Sequence, residues 1–201
     1  MAARAPWSHN IAYFPFVQQV ARKRAPRSAL DVGTANGMLA SRLADFIPLV
    51  VGLDANSEQV SEARAAHPTP VGLRFEAGDV LETHLADEPF DFVVCSATLH
   101  HMDTQAGLER LRDLTVPGGT LVIVGLAIDS TSYDRFIHVL TRLPIRMARA
   151  FRGWSDHGGP TAYATETWTD MRRLVRATLP GATFRRRLYW RYSVVWDRPI
   201  A

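Results

Sequence analysis

Three aspartates, a glycine-punctuated turn and two adjacent histidines carry the chemistry available to this chain. Asp31 ends an apolar run and is followed by Val32-Gly33-Thr34-Ala35-Asn36-Gly37; Asp54 ends the run Leu49-Val50-Val51-Gly52-Leu53; Asp79 follows Gly78 just after Val71 to Glu76. His100 and His101 come directly after Phe90 to Leu99. Each group sits where a strand would end, and in open α/β sheets ligands bind outside the carboxyl ends of the strands. Carboxylates there can hold hydroxyl, amino or ammonium groups, and an imidazole of ordinary pKa, about 6.5, can take a proton at neutral pH. The spacing therefore predicts one crevice with an acidic lining and a base at its mouth.

The elements that must position these groups follow from hydrophobic pattern. Ala29 to Val32, Leu49 to Leu53, Val71 to Glu76, Phe90 to Ser96 and Thr120 to Gly125 read as strands, several of them continuous apolar runs of the kind that is buried on both faces. Helical patterns lie between them, at Met38 to Phe46, Ser57 to Ala66 and Gln105 to Thr115. Such alternation is the signature of a parallel sheet with helices on both faces. The first turn reads as strand, phosphate-sized turn, helix, with free N–H groups of the helix start directed into the crevice. Gly33 and Gly37 are spaced G-x-x-x-G, which departs from the G-x-G-x-x-G of dinucleotide sites. Asp54, 21 residues after Gly33, stands where a ribose diol would be held; its plainer role is to cap the helix Ser57 to Ala66, although Asn56 and Ser57 can do that. Asp79 can equally be an ordinary turn aspartate. Val116-Pro117-Gly118-Gly119 reads as a tight reversal before the fifth strand.

The remaining segments frame this unit. The leader, residues 1–28, is rich in aromatics and contains a helical stretch, Val17 to Arg24; it is predicted either to pack as an extra helix or to fold over the crevice as a lid bearing His9 and Tyr13. From Ile128 to Tyr163 the regular pattern is lost, and this insertion, with Trp154 and His157, is where a substrate cap is expected. Glu166 to Leu179 reads as the last helix. Thr183 to Arg198 has aromatic and β-branched residues at period two, predicting two strands that pair antiparallel because no crossover lies between them.

Composition narrows the classes. The 201 residues, 47% of them hydrophobic, suit one domain spanning 1–201. With neither a long apolar run nor a charged-then-apolar leader, no membrane span or secretory signal is expected, and a cytoplasmic protein is predicted. The single cysteine, Cys95, lies within a strand-like run and reads as a small buried hydrophobe. The pI near 9.4 reflects scattered arginines, with Lys23 the lone lysine and a net charge of only +3. Nucleic-acid binding calls for a concentrated basic stripe, so a nucleic-acid partner is not expected. No His, Cys or acid falls at metal-ligand spacing around His100 and His101, so no metal is expected.

Asp31-x-Gly33-x-Ala35-x-Gly37 resembles motif I of class I S-adenosylmethionine (SAM)-dependent methyltransferases, D-x-G-x-G-x-G, with alanine for the middle glycine. Asp54, the Gly78-Asp79-Val80 step and Pro117-Gly118-Gly119 follow in that family's order, so the resemblance covers residues 29 to 125 by motif and the tail by topology. It is closest to small-molecule methyltransferases of the type 11 kind, and it implies a Rossmann-like seven-stranded sheet of order 3-2-1-4-5-7-6 with strand 7 antiparallel. It implies SAM as cofactor and S-adenosylhomocysteine (SAH) as product. Gly33, Thr34, Ala35 and Gly37 would line the methionine part, with Asp31 and the Ser96 carbonyl near its ammonium group. Asp54 with Ala55 would hold the ribose, and Asp79 with Val80 the adenine.

The implied function is methyl transfer to an oxygen, nitrogen or carbon nucleophile of a small molecule. His101 is the expected base and His100 its alternate, and one of the two is expected to meet substrate while the other packs, as neighbours in an extended loop face opposite ways. Tyr13, His9, Trp154 and His157 are the expected substrate contacts. The alternative is a SAM-binding protein of this fold without methyl transfer, either a cyclase or an auxiliary partner. The N-P-P-Y signature of base or glutamine methylation is absent, its place taken by Ser96-Ala97-Thr98-Leu99.

Overall fold

A computed structural model describes residues 10–67, 71–82, 89–128, 164–187 and 191–200. Its centre is a seven-stranded sheet built from β1 (Ser28–Val32), β2 (Leu49–Asp54), β3 (Leu73–Ala77), β4 (Phe90–Ser96), β5 (Thr115–Leu126), β6 (Thr183–Arg186) and β7 (Arg191–Asp197). The order is β3-β2-β1-β4-β5-β7-β6. β1 to β5 pair in parallel, β7 runs antiparallel to β5, and β6 antiparallel to β7. Sequence and structure agree on this topology.

Two apolar layers account for the continuous hydrophobic runs. On one face, Leu30, Val51, Val93, Cys95 and Ile123 pack under α4 (Thr104–Asp113) and α5 (Trp168–Thr178). On the other, Ala29, Val50, Phe92, Val94 and Val122 pack under α1 (Phe14–Arg24), α2 (Met38–Ala44) and α3 (Ser57–Ala66). Alternate strand residues face opposite ways, so a strand covered on both sides needs apolar residues at every position. Cys95 is fully buried, and desolvation pushes its thiol up to about 12, which leaves it an inert packing residue.

The leader joins this packing from residue 10 onward. A 3-10 turn, Ile11–Tyr13, runs into α1, and Ile11, Tyr13, Phe14, Val17 and Ala21 are all buried in the second layer. Helix α1 thus begins earlier than its apolar periodicity suggested, because Pro15 sits in the first turn, where its missing N–H costs nothing.

The expected reversal at Pro117-Gly118-Gly119 is instead part of β5. Phe90 pairs with Thr115 and Phe92 with Thr120, so the intervening residues form a bulge. Gly118 adopts φ +81°, and the bulge is closed by the C-terminal tail: Gly118 N–H donates to the Arg198 carbonyl and Arg198 N–H to the Gly119 carbonyl, 2.8 Å each. A turn signal became a strand irregularity because a chain segment distant in sequence supplied its hydrogen bonds.

Backbone strain gathers at the turn after β1. Gly33 and Gly37 take φ +73° and +75°, and Ala35 takes φ +48°, a left-handed conformation disfavoured for a residue with a Cβ. Replacing Ala35 with glycine is expected to leave stability unchanged or raise it by about 0.5 kcal/mol, relief of strain being offset by unfolded-chain entropy. Gly37→Ala is expected to cost about 2 kcal/mol, since its Cβ would lie 2.6 Å from the Phe75 ring as well as at positive φ. Urea denaturation of the two variants checks both signs.

Candidate active site

The turn after β1 is fastened to β2 by its own amides. Gly33 and Thr34 N–H both donate to the Leu53 carbonyl, at 2.8 and 3.0 Å, and Ala35 N–H donates to Asp54 Oδ2 at 2.8 Å. Gly37 N–H donates to the Thr34 carbonyl at 2.9 Å. Asp31 accepts from Thr34 Oγ1 at 2.9 Å and from the backbone N–H of Ala40 in the first turn of α2. The expectation of free N–H groups directed into the crevice is therefore corrected at these residues, whose donors are engaged within the protein. The charged groups beside this turn are the carboxyl groups of Asp31 and Asp54.

Asp31 is almost wholly buried, and desolvation raises its carboxyl from 3.8 to about 7, against the lowering effect of its hydrogen bonds from Thr34 and Ala40. Asp54, at the end of β2, uses its second oxygen to accept from Asn56 N–H at 2.9 Å. Asn56 itself caps α3, its Oδ1 accepting from Glu58 and Gln59 N–H, so Asp54 is not needed as the cap. Each carboxylate oxygen of Asp54 keeps acceptor capacity beyond these backbone bonds. Asp79 accepts from Leu81 N–H at 2.9 Å in a local turn, and Val80 packs into the core beneath it while its carbonyl accepts from Arg110 Nε. Asp31, Asp54 and Asp79 thus stand at the carboxyl ends of three adjacent strands, along one edge of the sheet.

The end of β4 is locked to the glycine turn. A Cβ on Gly33 would lie 1.9 Å from Thr98 Oγ1, so glycine here makes room for the Thr98 side chain. Thr98 Oγ1 in turn donates to the Ser96 carbonyl at 3.2 Å, while Ala97, at φ +58°, donates its N–H to Val124 at 2.7 Å. The histidines then form a 3-10 turn, Leu99–His101, not an extended loop. Their ring centroids lie 4.2 Å apart with the planes tilted by 38°, so the expectation that they face opposite ways is corrected: they lie side by side. His101 is exposed and His100 is half-buried. Burial, followed by the charges of His101 and Arg191, lowers His100 to about 4 and keeps it neutral.

Unsatisfied buried atoms gather at this mouth. Ser96 Oγ, His100 Nδ1 and the Nε and Nη1 atoms of Arg191 have no hydrogen-bond partner among the described residues, and native interiors seldom leave such groups without a partner of some kind, protein, water or ligand. Arg191 opens β7 beside Leu126, the last residue of β5, and its Nη2 donates to Asn10 Oδ1 in the leader. The sequence reading missed Arg191, Asn10 and Thr98. Arg191 opens the run Tyr192 to Trp196, but with Arg185, Arg186, Arg187 and Arg198 in the same tail nothing in the sequence set it apart. Tyr13 lies on this side of the sheet, close enough to Arg191 to act on its charge. His9, Trp154, His157 and the cap segment beyond Ile128 lie outside the described residues. Among the described residues there is no cluster that could hold a metal ion, and no helix is long and apolar enough to cross a membrane.

Comparison with known proteins agrees with this geometry. A family model described as a methyltransferase domain matches residues 30–123. A Mycobacterium bovis protein described as an uncharacterized methyltransferase (Mb0092) is 34% identical over 197 residues, covering 97% of this chain and 98% of the relative. Demethylmenaquinone methyltransferase of Deinococcus radiodurans is 35% identical over 104 residues, 50% of this chain and 43% of its own length. Among solved structures, the N-methyltransferase NodS of Bradyrhizobium japonicum in complex with SAH shares the fold at a TM-score of 0.67, with 14% identity, covering 98% of this chain and 94% of that one. With the predicted sheet order, the motif spacing and a relative aligned over nearly its whole length, the chain belongs to the class I SAM-dependent methyltransferases.

Proposed function

We propose that this chain binds SAM along the carboxyl ends of β1 to β4 and transfers its methyl group to an oxygen, nitrogen or carbon nucleophile of a small molecule, with help from the histidine pair. The observation that carries this reading is the glycine turn, whose Gly33, Thr34, Ala35 and Gly37 amides are engaged internally and whose neighbours are the Asp31 and Asp54 carboxyl groups. A pyrophosphate would find the Gly33, Thr34, Ala35 and Gly37 donors taken and carboxylates beside them. A ligand bearing ammonium and sulfonium charges meets complementary groups. SAM supplies a methyl group on a cationic sulfur, which keeps the electron pair of the broken C–S bond and leaves as the thioether SAH.

The chain's own residues supply position and proton transfer. Asp31 and the Ser96 carbonyl are assigned to the ammonium group, with Gly33, Thr34, Ala35 and Gly37 along the methionine part. Asp54 and Ala55 are assigned to the ribose, and Asp79 and Val80 to the adenine. Tyr13 borders the acceptor side. Alignment of the nucleophile at roughly 3 to 3.5 Å from the methyl carbon is the main source of rate. His100, neutral at physiological pH, is too weak a base to hold the proton released by an O–H or N–H acceptor. His101, beside it and exposed, is the residue to take that proton and pass it to water.

Three outcomes test this reading. Asp54→Ala is expected to weaken SAH binding by about 1.5 to 3 kcal/mol in calorimetry, the range for hydrogen bonds to a charged group. His101→Ala is expected to lower kcat about 10²-fold with SAM affinity nearly unchanged; full activity in both His101→Ala and His100→Ala would remove the imidazoles from the mechanism.

The third outcome concerns Asp31, whose pKa is raised to about 7 in the fold. The neutral carboxyl is favoured in the free protein, so its contribution to stability is fully present below the unfolded value and is lost as pH rises through about 7. Binding of an ammonium group demands the charged form. SAH affinity is therefore expected to fall by up to about tenfold per pH unit below 7, with proton release on binding at pH 6 visible as buffer-dependent heat. Asp31→Asn should abolish both effects, and equal wild-type affinity at pH 6 and pH 8 would contradict the assignment.

A further inference from the structure

Arg191 is a charged side chain placed where a fold would not keep one for packing alone. It is 6% exposed, and burial pulls its guanidinium down to about 10, which still leaves it cationic at neutral pH. A guanidinium offers five N–H donors. Here Nη2 donates to Asn10 Oδ1, while Nε and both donors of Nη1 have no acceptor among the described residues. No carboxylate lies within ion-pair distance of it among the described residues. A buried charge without a counterion is strongly unfavourable, and such a group is explained most simply by a ligand that brings the missing charge.

Its position selects the kind of ligand. Arg191 pairs with Leu126 at the carboxyl end of β5, so it stands on the same edge of the sheet as His100. His100 Nδ1 is likewise buried without a partner among the described residues, and its ring senses the Arg191 charge. β7 is three strands from β1 in the order β1-β4-β5-β7, roughly 14 Å at the usual strand spacing. That separation places the guanidinium beyond the glycine turn, on the side of the histidines where a methyl acceptor would lie.

We infer that Arg191 anchors a carboxylate of the methyl acceptor, so that the acceptor class is small organic acids. The inference rests on the methyltransferase reading only for the word acceptor; the anion site itself stands on the orphaned guanidinium. Carboxylate oxygens accept at more than one of the vacant donors, and such charge-assisted bonds are about twice as strong as neutral ones. Asn10 holds the guanidinium from the leader side, with Tyr13 near enough to act on its charge, and His100 borders the anion as a neutral ring. A carboxylate on the cofactor's methionine part has the same chemistry, and the test separates the two sources.

The test is calorimetry and thermal melting of the full chain with benzoate and with its neutral isostere benzamide, each with and without saturating SAH. Benzoate is expected to bind the SAH-loaded protein at least tenfold more tightly than benzamide and to raise its Tm. Arg191→Met should erase that preference, a loss of about 10- to 100-fold in benzoate affinity, while SAH affinity stays within about twofold. Asn10→Asp provides a second variant, placing an internal carboxylate against the guanidinium; it should raise the Tm of the free protein and weaken benzoate at least tenfold. Equal response of the wild type to benzoate and benzamide, or benzoate binding that survives in both variants, would overturn the inference. A tenfold or larger loss of SAH binding in Arg191→Met would also overturn it, reassigning the guanidinium to the cofactor carboxylate. Failure of SAH to bind the wild type would instead refute the methyltransferase reading, leaving the benzoate comparison to stand by itself.

Discussion

The bond from Ala35 N–H to Asp54 Oδ2, 2.8 Å long, is the contact on which the site depends. It ties the turn after β1 to the end of β2, and it requires a left-handed backbone at a residue that carries a Cβ. Holding such a conformation costs about 1–2 kcal/mol, and the fold meets that cost with two amide bonds to the Leu53 carbonyl and the anchoring of Asp31 beneath α2. The same bonds remove donors that a phosphate would need. The geometry of the turn and the ligand proposed for it therefore have one source, the carboxyl groups of Asp31 and Asp54 beside it.

The constraint spreads to the histidines through Gly33. Without a Cβ at that position Thr98 can pack into the turn, and Thr98 fixes the chain leaving β4 by bonding to the Ser96 carbonyl. The adjacent imidazoles follow in the next three residues. The edge is then divided by charge, with acids at the ends of β1 and β2 and after β3, and a buried guanidinium at the start of β7. A cationic donor and an anionic acceptor brought to opposite ends of this edge would meet near the histidines in the middle.

Much of the fold was legible in the sequence because the sheet is covered on both faces. Runs such as Leu49 to Leu53 can be neither amphipathic helices nor half-exposed strands, and the antiparallel tail followed from the short connection between Thr183 and Arg198. The acids and histidines were legible because strand ends bind ligands in this architecture. What the sequence hid depended on partners distant along the chain. Pro117-Gly118-Gly119 looks like a reversal until Arg198 pairs with it. The orientation of His100 and His101 depends on a 3-10 turn set by Thr98, and the bracing role of Asp54 depends on the Ala35 amide. Arg191 looked like one more scattered arginine, and only the packing of the leader around it shows that it is buried.

The most direct measurement is a crystal structure of the full chain grown with SAH. The account predicts the ribose hydroxyls on Asp54, the adenine over Val80 beside Asp79, the ammonium group between Asp31 and the Ser96 carbonyl, and the thioether sulfur directed toward His100 and His101. SAH bound elsewhere, or a crevice that rejects SAH and takes up NAD with its pyrophosphate against the Gly33 to Gly37 turn, would contradict it.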